Sequence, residues 1–473
     1  MITLYTPATG FPDLEAKIAY GLARVGLETY GVDKVTIQND GGFYKVTFLD
    51  EGETDLLDQN FNLLCRRLLS SPFIPFNTPG IGGRSANSIA LDEDQIFSLK
   101  QYLSIQHAIA NRKNENVCKH KSRSTGNVIG LTALTSFHNK RDGLDVIAQR
   151  KNPRDKSSPK LPRRPTNPKN ICKSCALLAL LGTWYASFVF NVADREVISI
   201  PIPRGRVRGT KLRELSALQH QVRRLWINQK VPQSLIPFMF LGQIPSSARI
   251  LDGFDLFMAT LSGGGSRAYR VDGIFLITID SYLKFLRANS YNIASIENMK
   301  RREAFGALQC LNDIIYYGKK DVLPKFARLY CQQTSSRDNK WMSMLYPETA
   351  FYLLKEVAMI DPGIIQNEAI ASLARTLRYF VREKKYGYAD SIRNARKESK
   401  DFEETVAKML REARLRLEQN EKIHLPTDDE MKEIFRLADK DFDKTKTALV
   451  ILAFSFQARS EENIETEKEV RHA

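Results

Sequence analysis

Residues 169–190 read KNICKSCALLALLGTWYASFVF and form the most apolar stretch of the chain, with Cys172 and Cys175 at its start. The apolar run from Ala176 to Phe190 is shorter than the ~20 residues that a membrane-spanning helix needs. We therefore expect a helix buried in a protein core. Its two cysteines fit three interpretations: a redox pair, one half of a metal site, or thiols packed in the core without a metal.

The metal interpretation requires two further ligands, which Cys118 and His120 in the stretch VCKHK can supply. Two close pairs of nitrogen and sulfur ligands match a closed, structural zinc site, and a helix N-terminus favours thiolate. The gap between Cys118 and His120 is tighter than usual, so His120 is the least secure ligand. A redox pair would be expected directly after a strand, whereas a segment rich in Pro and Lys precedes Cys172.

The charge of the chain indicates its partners. Among 473 residues, 70 Lys and Arg face 54 Asp and Glu, which gives a net charge of +16. Such a surplus favours nucleic acid, an anionic membrane surface or an acidic protein as the partner. The N-terminal residues lack a charged leader followed by an apolar core, and six cysteines are few for a disulfide framework. We expect a soluble, cytoplasmic protein that does not bind membranes.

The patterning predicts an α+β fold with an inserted Cys/His zinc-knuckle region, followed by a C-terminal α-helical bundle. Residues 1–110 form the N-terminal α+β part, with a strand ITLY, a helix, and a hairpin around NDGG. Residues 111–175 are a basic insertion, and residues 176–288 complete the α+β domain with EVISIPIP and two strands around a Gly-rich turn. Residues 289–460 form the helical bundle, which contains the capping box TDDE, and residues 461–473 are an acidic tail.

Motifs that carry catalysis are missing from the sequence. The six histidines are scattered, and no HExxH motif, GxSxG elbow or P-loop ending is present. No acidic cluster indicates a two-metal nuclease or polymerase. We therefore predict a binding protein rather than an enzyme.

Basic residues concentrate in three clusters, each of which could also be an ordinary solvated surface. The first is the insertion itself. The second contains Arg204, Arg206, Arg208 and Lys211, interleaved with Gly205 and Gly209, whose small size would allow a phosphate to approach the backbone. The third begins with Arg375, Arg378 and Arg382, which we expect on one helix face opposite the apolar residues. It continues with Lys384, Lys385, Arg393 and Arg396, interleaved with tyrosines, as in backbone-tracking nucleic-acid binders.

The stretches NVCKHK with ICKSC, IPIPRGRVRG and AIASLARTLRYF resemble the large subunit of a type I CRISPR interference complex (Cascade), in its archaeal I-A form. The resemblance covers most of the chain, although His120 departs from a four-cysteine pattern. It implies a non-catalytic subunit of a crRNA-guided complex that contains backbone and small subunits. Such a subunit recognises the protospacer-adjacent motif in double-stranded DNA, holds the displaced single strand and helps to recruit the helicase-nuclease. Base pairing with the guide reads the sequence, so the protein reads only a few base pairs.

Under this resemblance, the Gly-rich stretch FNTPGIGGRSANS could enter a DNA groove. Asn77, Arg84 and Asn87 are then candidates for reading the motif, because Asn and Arg pair with base edges. Two alternatives remain: a nuclease whose acidic cluster forms only in three dimensions, and a zinc-containing RNA-binding protein.

Overall fold

The fold was analysed in a computed structural model, which describes most of the chain outside the basic insertion and the C-terminal tail. The described residues are 1–49, 54–70, 96–104, 117–118, 120, 128–130, 170–193, 195–222, 226–227, 231–243, 247–262, 270–335 and 343–455. The chain is a mixed α/β protein with a sheet-containing N-terminal region and a helical C-terminal part. The chain divides into two compact units. The first comprises Met1–Gln233 and Ser246–Asp280, and the second comprises Ser234–Pro245 and Ser281–Ala473.

One sheet of the first unit has four strands in the order β1-β3-β2-β8, all neighbours being antiparallel. These are β1 (Ile2–Tyr5), β2 (Val35–Asn39), β3 (Tyr44–Phe48) and β8 (Arg206–Arg208). β2 and β3 form the predicted hairpin around NDGG, with Val35 opposite Phe48. Every second residue of β3 is buried, as expected of a sheet with one face on a core. β8 lies at one edge of this sheet, and its residues Arg206 and Arg208 are exposed.

The second sheet has five strands in the order β11-β10-β7-β6-β9. Its strands are β6 (Phe188–Val192), β7 (Arg195–Pro203), β9 (Trp226–Ile227), β10 (Phe254–Ser262) and β11 (Arg270–Thr278). The pairing of β10 with β11 confirms the two strands predicted around a Gly-rich turn. The predicted buried helix ends before β6, because Phe188–Phe190, the last residues of the stretch 169–190, belong to a strand instead. A third, two-stranded sheet pairs β4 (Val128–Gly130) with β5 (Asn170–Cys172).

Four longer helices surround these sheets: α1 (Pro12–Tyr30), α2 (Thr54–Ser70), α3 (Lys173–Ala186) and α4 (Gly209–Val222). α3 is the predicted apolar helix, and nearly all of it is buried. α1 and α3 touch backbone to backbone. A Cβ on Gly182 would lie 1.8 Å from the Lys17 carbonyl oxygen, and one on Gly21 would lie 2.2 Å from that of Leu178. Only glycine allows this approach, and the crossing fixes α3 in the core.

The second unit is helical. Its first helix, α5 (Ile236–Gln243), is followed in the chain by the short helix α6 (Ser247–Ile250), which belongs to the first unit. The helices of the second unit are α5, α7 (Asp280–Ala288), α8 (Ser290–Arg301), α9 (Phe305–Tyr317), α10 (Leu323–Thr334), α11 (Pro347–Tyr352), α12 (Pro362–Ile365), α13 (Glu368–Arg382), α14 (Gly387–Asn394), α15 (Asp401–Glu418), α16 (Asp428–Lys440) and α17 (Phe442–Ala453). A π-helical turn at Leu353–Val357 follows α11. The predicted capping box is present, since the Thr427 side chain and Glu430 cap α16 reciprocally. None of the described helices combines the length and apolar character needed to cross a bilayer.

The border between the units follows side-chain packing. The sequence places it at residue 288, whereas the compact units meet at Asp280, and Ser234–Pro245 joins the second unit. The reason is an aromatic cluster: the Phe238 ring lies 5.1 Å from Tyr282 and 6.4 Å from Phe285, centroid to centroid. Packing of α5 against α7 therefore draws both helices into the helical unit.

Candidate metal centre and nucleic-acid interface

Four side chains meet in the first unit where the predicted metal site was expected. They are Cys118, His120, Cys172 and Cys175, and all four are buried. Cys172 ends β5 and is the N-cap residue of α3, so Cys175 falls in the first turn of that helix. The expectation that no strand directly precedes the cysteine pair was therefore wrong. The four ligand atoms lie within 4.8 Å of one another. Sulfur atoms of a tetrahedral zinc site are about 3.8 Å apart at ordinary Zn–S distances, so a small contraction would place them around an ion.

Backbone and ring hydrogen bonds hold the cluster in this arrangement. The Cys172 N–H donates to Cys118 Sγ at 3.2 Å, and the Cys175 N–H donates to Cys172 Sγ at 3.4 Å. His120 Nδ1 lies 3.5 Å from Cys172 Sγ and 3.3 Å from Cys175 Sγ. His120 was the least secure ligand in the sequence, yet its ring nitrogen faces two of the three sulfurs. The predicted ligands are therefore brought together, and the cluster can bind a metal ion.

The protonation of the thiols reflects their burial. Burial raises the pKa of Cys172 to about 12 and raises that of Cys175 well above its ordinary value. Hydrogen bonds from Cys172 and Cys175 hold the pKa of Cys118 well below its ordinary value. A metal ion would replace the protons of the buried thiols, which couples metal binding to proton release.

Tyr102 completes the cluster, and the sequence analysis missed it. Its hydroxyl lies 2.9 Å from Cys175 Sγ, and its ring meets the His120 ring edge-on with centroids 4.9 Å apart. The residue is fully buried, and burial raises the pKa of its hydroxyl well above the ordinary value. The hydroxyl therefore keeps its proton and can donate it to the sulfur. Hydrogen bonds of this kind orient metal ligands in many sites.

The second basic cluster lies at the edge strand β8. Arg206 and Arg208 are exposed, and Val207 between them is buried, so both arginines point to the same side of the strand. Among the described residues, neither arginine has an ion-pair or hydrogen-bond partner for its side chain. A cleft of about 570 Å³ opens beside them, and its lining includes Arg204, Thr210 and Lys211.

The contacts of this cluster correct the expectation for Gly209, whereas Arg204 and Lys211 stay predicted binding residues that already have protein partners. Arg204 forms a bidentate ion pair with Asp280 and approaches Asp255 at 3.7 Å, so its charge is largely balanced. Lys211 donates to the Arg249 carbonyl at 2.6 Å. Gly209 cannot admit a phosphate, because a Cβ there would lie 2.1 Å from the Val32 carbonyl oxygen. Gly205, in contrast, has no atom within 4 Å of a Cβ position.

The third basic cluster differs from the predicted exposed face. Arg378 is buried, and its Nη2 donates to the Leu452 carbonyl at 2.7 Å, in the last turn of α17. Packing of α13 against α16 and α17 covers this side of the helix, which periodicity alone assigned to solvent. Arg375 is half-buried and lies 3.5 Å from Glu368, and Arg382 is exposed.

The remaining basic residues of the third cluster lie on the turn after α13 and along α14. Lys385 pairs with Glu412 at 2.7 Å and Arg393 with Asp390 at 3.5 Å. Lys384 and Arg396 are exposed. Two of these four residues therefore have ion-pair partners, and the four do not form a continuous unpaired basic surface.

One further polar network joins α13 to α16. Ser372 Oγ lies 2.7 Å from His424 Nε2 and donates to Glu430 Oε2 at 3.0 Å. Serine, histidine and glutamate resemble a catalytic set by type, but the Ser372 side chain is fully buried and cannot reach a substrate. The network fastens the turn before α16 to α13.

The candidate motif readers Asn77, Arg84 and Asn87 lie outside the described residues, as does most of the basic insertion. Neither the scan against protein-family models nor the search of curated proteins found a match to this chain.

Proposed function

We propose that the protein binds nucleic acid through β8 and serves as the non-catalytic large subunit of a crRNA-guided DNA surveillance complex. The observation that carries the nucleic-acid part is the pair Arg206 and Arg208, exposed on one side of an edge strand beside a cleft. Each guanidinium has its donors available for a phosphate, and Arg binds phosphates in a bidentate manner. The assignment to the surveillance complex is supported by the resemblance of the quoted stretches. In that role the protein recognises the protospacer-adjacent motif, holds the displaced strand and helps to recruit the helicase-nuclease.

We further propose that the ion of the metal centre is zinc in a structural role. Three thiols and one imidazole are the ligand types of closed zinc sites, and all four residues are buried. Elemental analysis of the purified protein should find about one zinc per chain. Another metal in that proportion would contradict the choice of zinc, and no metal would favour core thiols.

A double substitution tests the β8 surface. R206Q/R208Q should weaken binding of a single-stranded DNA about tenfold or more, because two charged contacts are lost. The slope of log affinity against log salt should become about 1.4 units shallower, since each phosphate contact on a single strand contributes about 0.7. R411Q/R414Q is the matched control, because it removes two exposed arginines from α15. Equal affinities in the two variants would contradict the proposal.

Co-purification tests the assembly. The tagged chain should recover a short RNA of uniform length and a backbone-forming subunit from its native cell. Recovery of the chain alone would contradict membership in a guide complex. Recovery of ribosomal RNA would favour the RNA-binding alternative, and metal-dependent cleavage of DNA by the purified chain would favour the nuclease.

A further inference from the structure

Two arginines of α13 have buried hydrogen-bond donors without an acceptor among the residues that the structure describes. Arg378 is 8% exposed, and its Nη2 donates to the Leu452 carbonyl. Within the described part of the chain, the buried Nε atoms of Arg375 and Arg378 have no hydrogen-bond partner. A buried donor without an acceptor costs about 1–3 kcal/mol, and native structures contain few of them.

The balance of charge at the same place is also incomplete. Burial, followed by the charges of Arg382 and Arg375, lowers the pKa of Arg378 to about 10, so the side chain stays charged at neutral pH. Among the described residues, the only carboxylate that contacts the three arginines is that of Glu368, which is 84% exposed and 3.5 Å from Arg375. The C-terminal end of α17 contributes a partial negative charge through the Leu452 carbonyl. Buried charges in proteins are normally paired.

We infer that Arg375, Arg378 and Arg382 form a binding site for a phosphate group. Arg378 would donate from the buried base of the site, and Arg375 and Arg382 would close on the phosphate from the exposed side. The spacing of the three residues along α13 places them on adjacent turns of one helix side. A phosphate would accept from the exposed guanidinium nitrogens of Arg375 and Arg382 and balance the charge of the buried Arg378. The inference stands on contacts within the second unit and does not rest on the role of β8.

Capping of α17 is the competing account of Arg378. That role needs only Nη2 and the Leu452 carbonyl, and it gives no task to Arg375 or Arg382. The two accounts therefore differ in what happens when Arg375 and Arg382 are changed and Arg378 is kept. Capping predicts that phosphate raises the unfolding midpoint equally in every variant, through its general exclusion from protein surfaces.

Thermal unfolding of the full, metal-loaded chain tests the site. Inorganic phosphate, compared with chloride at equal ionic strength, should raise the unfolding midpoint by about 5 °C when it is present at a hundred times its dissociation constant. R375Q/R382Q should lose this rise but keep Arg378 in place. R411Q/R414Q should keep the rise, because it removes the same charge from α15. A rise of equal size in both variants, or no rise in the unchanged protein, would overturn the inference.

Binding of single-stranded DNA then distinguishes the source of the phosphate. If R375Q/R382Q loses the response to inorganic phosphate and also binds the oligonucleotide about tenfold more weakly, the site holds a phosphodiester. If the response is lost while oligonucleotide binding is unchanged, the site holds a free or terminal phosphate. Both results support the site. A failure of R206Q/R208Q to affect DNA binding would contradict the role of β8 and leave this result intact.

Discussion

The Cys/His cluster of the first unit and the arginine cluster of α13 are both incomplete, but in opposite ways. The first lacks a positive charge and the second lacks a negative one. The first collects three thiols and an imidazole in a buried place, and a cation would complete it. The second has three guanidinium groups along one helix, one buried, one half-buried and one exposed, and we propose that an anion completes it. The comparison teaches that the two candidate sites depend on different signals: the first on ligand types brought together, the second on positive charges that few carboxylates balance.

The two clusters also differ in how the chain builds them. The ligands of the metal centre come from two stretches of sequence and rely on α3 being fixed against α1. The arginines come from one helix, and only the packing of α17 makes Arg378 part of a site. Substitutions should therefore affect the metal centre strongly and the second unit weakly, and four predictions test this order.

The largest effect is expected from Cys172→Ser, which removes one ligand of the metal centre. The variant should lose its metal and lower the free energy of unfolding by more than about 3 kcal/mol, because binding energy in such sites is folding energy. Denaturant titration with and without a chelator measures it. Cys310→Ala, a buried cysteine outside the cluster, is the control and should retain the metal. If both variants lose equal stability and chelator has no effect, the cluster is core packing only.

Gly182→Ala tests whether the helix crossing positions the ligands. The new Cβ would meet the Lys17 carbonyl oxygen at 1.8 Å, so α1 and α3 must separate. We expect a loss of about 3 kcal/mol in the free energy of unfolding, together with weaker retention of the metal. Gly205→Ala is the control, because its Cβ would meet nothing within 4 Å. If Gly182→Ala retains the metal as the unchanged protein does, the crossing of α1 and α3 does not position the metal ligands.

Tyr102→Phe removes the hydroxyl beside Cys175 and keeps the ring against His120. Metal affinity should fall about tenfold, because ligand-orienting hydrogen bonds contribute at this level. The loss of stability should be about 1 kcal/mol. Tyr20→Phe removes another buried hydroxyl, which donates to the Pro201 carbonyl at 2.6 Å, and is the matched control. Competition with a chromogenic chelator should show weaker binding in Tyr102→Phe alone. Equal binding in the two variants would reduce Tyr102 to a packing role.

The smallest effect is expected in the second unit, from Glu430→Gln. Partial burial alone would raise the pKa of Glu430, but hydrogen bonds from Thr427 and Ser372 outweigh it and hold the pKa below 4.5. The stabilising contribution of the Glu430 carboxylate is therefore present above pH 4.5, and it disappears as the pH falls through the lower pKa that Glu430 has in the folded protein. Glu430→Gln should cost about 0.5 kcal/mol at pH 7 and less at pH 3.

The unfolding midpoint from pH 7 to pH 3 measures this difference, with the exposed Glu403→Gln as control. A difference between wild type and Glu430→Gln that stays constant over this range would contradict the role of the carboxylate charge.

Local pattern predicted the strands, the hairpin, the capping box and the buried helix, because each depends on neighbouring residues. It also predicted that Cys118, His120, Cys172 and Cys175 meet, because two close pairs of nitrogen and sulfur groups match the spacing of a structural zinc site. Tyr102 was missed because an isolated tyrosine has no motif, and only the fold brings it to Cys175. Arg378 and Gly209 were misassigned for one reason: a second element, α17 or the Val32 carbonyl, occupies the side that periodicity left to solvent.

The contact of Gly21 with Leu178 and of Gly182 with Lys17 has a consequence for biosynthesis. α1 emerges from the ribosome about 160 residues before α3, which at ordinary rates of synthesis is a delay on the order of 10–30 s. During that time the side of α1 that α3 covers has no partner from its own chain. The nascent first unit should therefore bind a general chaperone until α3 is released, and a ribosome stalled before residue 173 should retain it.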